Sequence, residues 1–352
     1  VSGKTSIEWT DATWNPLRGC SRVSEGCRNC YAEKVAARFS VPYGPAGPKY
    51  QPGRFANVIR DGKWNGVVEL VEGKVAEPLH WRKAKRVFVN SMSDLFHESV
   101  PDEWIDRVFA VMALAPQHTF QVLTKRPERM RAYLQCGVGL YDRVLRAAEP
   151  LREMFPGLNR IGISNPAAIP LPNVWLGVSV EDQATADERI PLLLQTPAAV
   201  RFVSYEPALG PVDFARLRGY LGAGDSVKAD LVIDALGGFY AAAWRGRSTT
   251  PDTPLPEYAR PLDWIIVGGE SGPGARPFDV AWAWSTIAQC KAAGVACFVK
   301  QLGAHPCDRG PGQSYHHAHG ELLCKKLADK KGGDMAEWPE DLRVREFPSV
   351  RA

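Results

Sequence analysis

Six short apolar runs, each ending in a polar tip, constrain this chain more than any other feature. They are Arg86–Ser91 (RVFVNS), Phe120–Lys125 (FQVLTK), Val174–Val180 (VWLGVSV), Ala199–Tyr205 (AVRFVSY), Leu262–Gly269 (LDWIIVGG) and Ala296–Gln301 (ACFVKQ). Apolar residues fall on both parities, which means burial on both faces, as in a parallel sheet. Helical signals lie between the runs. Pro101 suits a first turn, Asp102 and Glu103 follow it, and apolar spacing continues through Val108, Phe109, Val111 and Met112. Asp279 to Ala293 is periodic in Trp282, Ile287 and Cys290, and Gly294 fits the stop. A weaker strand is expected near Trp14–Gly19. Alternating β and α elements predict an α/β chain wound as an incomplete (β/α) barrel of about six or seven mostly parallel strands. An open doubly wound sheet is the alternative.

The 352 residues are 45% hydrophobic and 23% charged, which excludes a mainly disordered or fibrous chain. A single domain over 1–352 is expected, with insertions near 41–80, 137–173 and 219–260 and a C-terminal extension over 304–352. Val41 to Arg54 carries Pro42, Pro45, Pro48 and Pro52, and Glu69 to Glu77 suits a hairpin around Glu72–Gly73. No apolar run approaches the roughly 18 residues of a membrane span. Val1 to Thr10 has no apolar signal region, so a cytoplasmic protein without membrane contact is expected. Lys plus Arg number 43 against 39 for Asp plus Glu, and this mild basicity permits a nucleic-acid partner.

Of eight cysteines, three crowd into Gly19–Tyr31 (GCSRVSEGCRNCY) as Cys20, Cys27 and Cys30, spaced C-x6-C-x2-C. The others, Cys136, Cys290, Cys297, Cys307 and Cys324, scatter. A long chain with clustered cysteines points to metal ligands before disulfides. Soft thiolates suit iron–sulfur and zinc alike. Three thiolates can each take one iron of a [4Fe–4S] cube and leave the fourth open to a small ligand. Structural zinc needs a fourth ligand such as His80 or Cys307. Three cysteines without any metal remain the bland alternative. A helix is expected from Cys27 towards Phe39.

The polar tips are Asn90, Ser91, Ser93 and Asp94; Thr124, Lys125 and Arg126; Ser179 and Glu181; Ser204 and Glu206; Glu270 and Ser271; and Lys300 and Gln301. In a (β/α) barrel the carboxyl ends of the strands line the active site. One such tip is ordinary turn or cap chemistry; six in succession point to a binding site. Asp94 or Glu181 suits an amino group or ribose hydroxyls, and Lys125 or Arg126 a carboxylate. A solvated helix start before Pro127 is the competing reading of Lys125–Arg126. Gly268, Gly269 and Gly272 invite close backbone approach to a ligand. VGGESGPG has the spacing of neither a dinucleotide fingerprint nor a P-loop. Tyr315–His319 (YHHAH) reads as a solvated run rather than a metal site. Trp9, Trp14 and Trp64 beside Arg18, Arg22, Lys63 and Arg82 suit base stacking with phosphate contacts, and core burial is the competing reading of each Trp.

The motif blocks resemble the phage Gp37/Gp68 proteins, the three-Cys-motif family, which look like relatives of radical S-adenosylmethionine (SAM) enzymes. The resemblance runs through Thr5–Pro16, the three-Cys segment, Val87–Glu98 (VFVNSMSDLFHE), Gln121–Met130 (QVLTKRPERM), Val174–Gln183, Arg201–Asp213, Trp264–Pro277 and Phe298–Gly303. The familiar radical SAM spacing is C-x3-C-x2-C with an aromatic residue before the last cysteine; here the first gap is six, Asn29 precedes Cys30 and Tyr31 follows it. The order of Ser91–Asp94, Thr124–Lys125 and Ser179–Glu181 is similar to the spore photoproduct lyase group. The resemblance implies a [4Fe–4S] cluster on Cys20, Cys27 and Cys30. It implies SAM held by Ser91, Asp94, Thr124, Lys125, Ser179 and Glu181, and the polar tips add Glu206 and Glu270 as cofactor-binding candidates. It also implies reductive SAM cleavage, with an electron donor such as flavodoxin or ferredoxin, acting on nucleic acid, DNA favoured; among the basic residues flanking the cysteines, Arg18, Arg22 and Lys63 are the phosphate candidates. A non-catalytic iron–sulfur nucleic-acid-binding or phage-accessory protein is the rival, and a structural zinc protein the third reading.

Overall fold

The computed structural model describes residues 5–42, 53–156, 170–221, 231–242, 250–257, 259–308, 323–324 and 326–349. Seven strands form one parallel sheet: β1 (Ala12–Trp14), β2 (Arg86–Val89), β3 (Thr119–Thr124), β4 (Val174–Val180), β5 (Val200–Tyr205), β6 (Trp264–Gly268) and β7 (Ala296–Gln301). Their order across the sheet is their order in the chain. Ala12 lies opposite Val87, Val87 opposite Phe120, and Trp264 opposite both Phe202 and Ala296. A doubly wound sheet reverses strand order at a switch point, and this sheet does not. The fold is an incomplete (β/α) barrel. Every residue of β4 and of β5 is buried, as apolar residues on both parities require.

The chain divides into two compact units, 1–177 with 196–199, and 178–195 with 200–352; the boundary falls inside β4. In the first, α1 (Tyr31–Arg38), α2 (Asp102–Leu114), α3 (Pro127–Leu134) and α4 (Val138–Met154) accompany the strands. Pro101 caps α2, and Asp102 and Glu103 meet the positive end of its dipole. Trp14 is fully buried, packs 5.7 Å from Phe120 between ring centres, and donates its indole N–H to the Lys74 carbonyl at 2.7 Å. That contact helps explain why the expected hairpin at Glu69–Glu77 does not form. Glu69–Leu70 pairs instead with Leu17–Arg18, and the chain then makes a helical turn over Glu72–Val75. Buried Val75 and the Arg107–Glu72 ion pair hold that turn, and neither is a local signal.

In the second unit, α5 (Gln183–Leu194) starts in a capping box between Asp182 and Thr185. The other helix, α6 (Val280–Ala293), is capped by Asp279 and ends at left-handed Gly294. Leu217–Gly219, Leu231–Asp234, Phe239–Ala242 and Thr253–Pro254 make a separate antiparallel sheet. The C-terminal segment runs along the outer side of β7, where Val299 N donates to Val344 O at 2.8 Å and Glu346 N to Cys297 O at 2.9 Å. The backbone of an edge strand is thereby covered. No helix among the described residues is long and apolar enough to cross a membrane. Pro45, Pro48, Pro52 and Tyr315–His319 lie outside the described residues.

Candidate functional site

In the first unit, the chain leaves β1, passes Leu17–Arg18 and reaches Gly19, which bridges Ser93 in parallel. Gly19 has φ 99°, and a Cβ there would lie 2.1 Å from the Val67 carbonyl oxygen. Only glycine lets the backbone through at this point, and Cys20 follows. Cys27 closes the helical turn Glu25–Cys27, and Cys30 caps α1. All three thiols are free and partly buried. Buried Glu33, in the first turn of α1, pairs with Arg22 (Nε to Oε2, 3.1 Å) and accepts from Trp64 N at 3.1 Å. One carboxylate thus ties the Cys20–Cys27 loop and the Ile59–Trp64 hairpin to the helix that follows Cys30.

Burial, seconded by the charge of Asp94, pushes the Cys20 thiol up to about 12 against the pull of Arg126. Burial also raises Cys30, against the backbone N–H groups of Glu33 and Ala32. Neighbouring thiols add to both: Cys30 and Cys27 raise Cys20, and Cys27 raises Cys30. A soft metal held by these thiols would have to displace their protons. Among the described residues, no three His, Cys, Asp or Glu side chains converge on a single-ion position. His80 stacks on Phe155 at 4.9 Å, and Cys307 is disulfide-bonded. Of the fourth zinc ligands suggested by the sequence, Cys307 is thereby not a free thiol. By donor chemistry, three free thiols on one segment fit a [4Fe–4S] cube, where each takes a different iron, better than one tetrahedral zinc.

The tips of β2 and β3 meet beside Cys20. Asp94 accepts from Thr124 Oγ1 (2.7 Å), Phe96 N (3.0 Å), Lys125 N (3.1 Å) and Arg126 Nη1 (3.0 Å). Arg126 Nε donates to Glu98 Oε2 at 2.8 Å, and its Nη2 to Ser21 Oγ at 2.7 Å. The Glu98 carboxyl is held down to about 2: burial opposes this, but its own backbone N–H and Arg126 outweigh it. His97 is lowered by burial and by Arg126. Ser91 donates its hydroxyl to Asn15 Oδ1 at 3.2 Å, and its carbonyl accepts from Tyr31 Oη at 3.0 Å. The structure thus brings Ser91, Asp94, Thr124 and Lys125 together with the cysteine segment. Arg126, read from sequence as a partner for a ligand carboxylate, is turned inward onto protein carboxylates.

The tips of the second unit are closed by separate pairs. Glu181 and Arg189, side chains 1% and 2% exposed, pair at 3.2 Å, and Arg189 also donates to Ser179 O at 2.7 Å. Glu206 meets Lys300 at 2.9 Å. Glu270 takes Arg276 in a fork, Nη2 to Oε1 at 2.7 Å and Nε to Oε2 at 3.0 Å. Two glycines expected to face a ligand serve packing instead. A Cβ on Gly269 would meet the Leu302 carbonyl oxygen at 2.5 Å, and one on Gly268 would meet Glu206 Oε1 at 2.8 Å.

The base-stacking reading fails for two tryptophans: Trp9 and Trp14 are 2% and 0% exposed. Of the phosphate candidates, Arg18 pairs with Glu69 at 2.7 Å and Arg22 with Glu33, while Lys63 is exposed. Sequence reasoning missed Ser21, His97 and Glu98. A signal existed in Glu98 lying four residues after Asp94, but spacing in a turn does not say which way a side chain points.

No curated protein matches the chain, and no solved structure does. Residues 4–337 match the family described as protein of unknown function, DUF5131. With nearly its whole length inside that match, the chain belongs to the DUF5131 family.

Proposed function

We propose that this protein is a radical SAM-like iron–sulfur enzyme acting on nucleic acid. The observation that carries the reading is three free, half-buried thiols on one segment at the carboxyl ends of barrel strands. The likeness of the motif blocks to the phage Gp37/Gp68 family supports it. When bound, a [4Fe–4S] cluster supplies one electron for reductive cleavage of SAM. The chain's own residues do the rest. Cys20, Cys27 and Cys30 hold the irons. Ser91 and Lys125 stand nearest the cysteine segment with side chains not wholly buried, and are the first candidates to orient the cofactor. Lys63 is the exposed phosphate candidate. A DNA strand with an accessible base is the favoured substrate, and a flavodoxin- or ferredoxin-like protein the electron source. The test is anaerobic reconstitution followed by assay of 5′-deoxyadenosine from SAM and dithionite. No 5′-deoxyadenosine from protein with a full cluster would defeat the enzyme reading. Lys63→Ala should reduce the salt slope of oligonucleotide binding by about one.

A second reading, a non-catalytic iron–sulfur nucleic-acid-binding protein, is favoured by one feature. Asp94, Glu181 and Glu270, three of the proposed SAM partners, are already engaged by protein donors. An unchanged electron paramagnetic resonance spectrum of the reduced cluster at saturating SAM would select it.

A further inference from the structure

We propose that Arg126, held between Asp94 and Glu98, is the positioning residue of the first cysteine, and that this ion group lowers the reduction potential of a cluster bound there. The second half rests on the cluster reading above; the first does not. The Arg126 side chain is 10% exposed, and its Nη2 reaches both Ser21 Oγ at 2.7 Å and the Ser21 carbonyl at 3.3 Å. The Cys20 thiol donates to that same carbonyl at 3.4 Å. The first cysteine and the guanidinium therefore share one backbone oxygen.

The Ser21 hydroxyl is engaged on every side. Ser99 N donates to His97 Nδ1 at 3.1 Å, so the proton of the neutral ring is assigned to Nε2. Nε2 then donates to Ser21 Oγ at 2.9 Å, Arg126 donates to it as well, and Ser21 Oγ donates to Glu98 Oε1 at 3.1 Å. A polar network with its donors and acceptors matched in this way is rigid and specifies one geometry. Cys27 and Cys30 are carried by helical segments instead. Cys20 sits on a chain segment with little regular structure, and the Ser21 tether supplies the order that a helix supplies to the others.

The charge within this ion group is unequal. Two carboxylates, Asp94 and Glu98, surround one guanidinium, and the buried ring of His97 is neutral at pH 7. Local net charge is one of the settings of an iron–sulfur potential, and negative surroundings favour the oxidised cluster. Removing one negative charge without changing shape should raise the potential. Asp94, 8% exposed, should act more strongly than Glu98, 65% exposed and open to screening.

The test has two arms. In metal-free protein, hydrogen exchange of the peptide spanning Gly19–Val23 is followed by mass spectrometry. Ser21→Ala and Arg126→Lys should each speed it several-fold, because one deletes the hydroxyl and the other keeps the charge but loses the fork. Unchanged exchange in both overturns the positioning role, whatever iron does. In anaerobically reconstituted protein, the midpoint potential is measured by spectroelectrochemistry. Glu98→Gln should shift it upward and Asp94→Asn further upward at equal iron content. A merely structural role moves iron retention and not the potential in this order. No shift, or a downward one, overturns the tuning. If the unaltered protein takes up no iron, the cluster reading and the tuning fail together, while the exchange arm still decides the tether.

Discussion

The two units treat their polar strand ends in opposite ways. In the first, side chains from the tips of β2 and β3 and from the cysteine segment meet at Arg126, which serves two carboxylates and a serine at once. In the second, each carboxylate has its own cation. Glu181 takes Arg189 from the following helix, Glu270 takes Arg276 six residues on, and Glu206 takes Lys300. A private pair neutralises a single carboxylate, within its own βα turn for Glu181 and Glu270 and between two strand ends for Glu206. A shared cation couples segments distant in the chain, so a change at one strand tip is felt at Cys20. The same residue types at the same barrel positions can therefore be structural in one unit and site-forming in the other.

The largest expected effect separates the cysteines. Replacing Cys20, Cys27 or Cys30 by Ala should abolish an uptake of roughly four irons per chain. Cys136→Ala and Cys290→Ala should not, as read by iron and sulfide analysis. Iron lost equally from all five variants would erase the distinction between the clustered cysteines and the scattered ones.

Next in size are the buried pairs. Glu181→Ala strands buried Arg189 and should cost about 3–5 kcal/mol in urea unfolding, whereas Asp94→Ala leaves Arg126 its Glu98 partner and should cost less. Only Asp94→Ala should also loosen iron. Iron loss in Glu181→Ala would break the comparison from the other side.

Gly269→Ala tests whether the second unit's glycines are for packing. Its Cβ would sit 2.5 Å from the Leu302 carbonyl oxygen, a backbone atom that cannot swing away. A cost of about 1–3 kcal/mol is expected from overpacking, read by thermal or urea unfolding. A neutral result would return Gly269 to the list of ligand-facing positions.

The smallest effect is in acid. The Glu98 carboxyl lies below its ordinary value of 4.5, at about 2. Its ion pair therefore stabilises the fold above pH 4.5 and loses that contribution as pH falls towards 2. At an exposed position this is worth about 0.2–1 kcal/mol. Unfolding curves of Glu98→Gln should be flatter than those of the unaltered protein across that window and should meet them at its acid end.

Much of the architecture was legible because a strand buried on both faces leaves a mark in the chain itself. Each of the six apolar runs coincides with a barrel strand to within a few residues, the weak signal near Trp14–Gly19 overlaps β1 at Trp14, and Gly294 ends α6 where a glycine stop was expected. The site was half legible. Cys20, Cys27 and Cys30 announce themselves by residue type, and Asp94 and Thr124 by their place after an apolar run. The misreadings share one cause, which is that exposure is not a local property. Trp14 is fully buried because Phe120 and the Lys74 carbonyl close around it. The turn at Glu72–Val75 is helical because Arg107 and the buried side of Val75 select it over a hairpin.

Residue types and their periodicity were enough for the run of parallel strands, for the helices at Asp102–Leu114 and Val280–Ala293, and for the three thiols; the helix Val138–Met154 fell in a stretch read as an insertion. The pairings at the site came from folding. Arg126 meets Ser21 across 105 positions, and Asp94 meets Thr124 across 30. Such contacts depend on sheet register, which sets which strand tips stand side by side. Periodicity says which faces of a strand are buried, and is silent on which neighbour a polar side chain at its end will find.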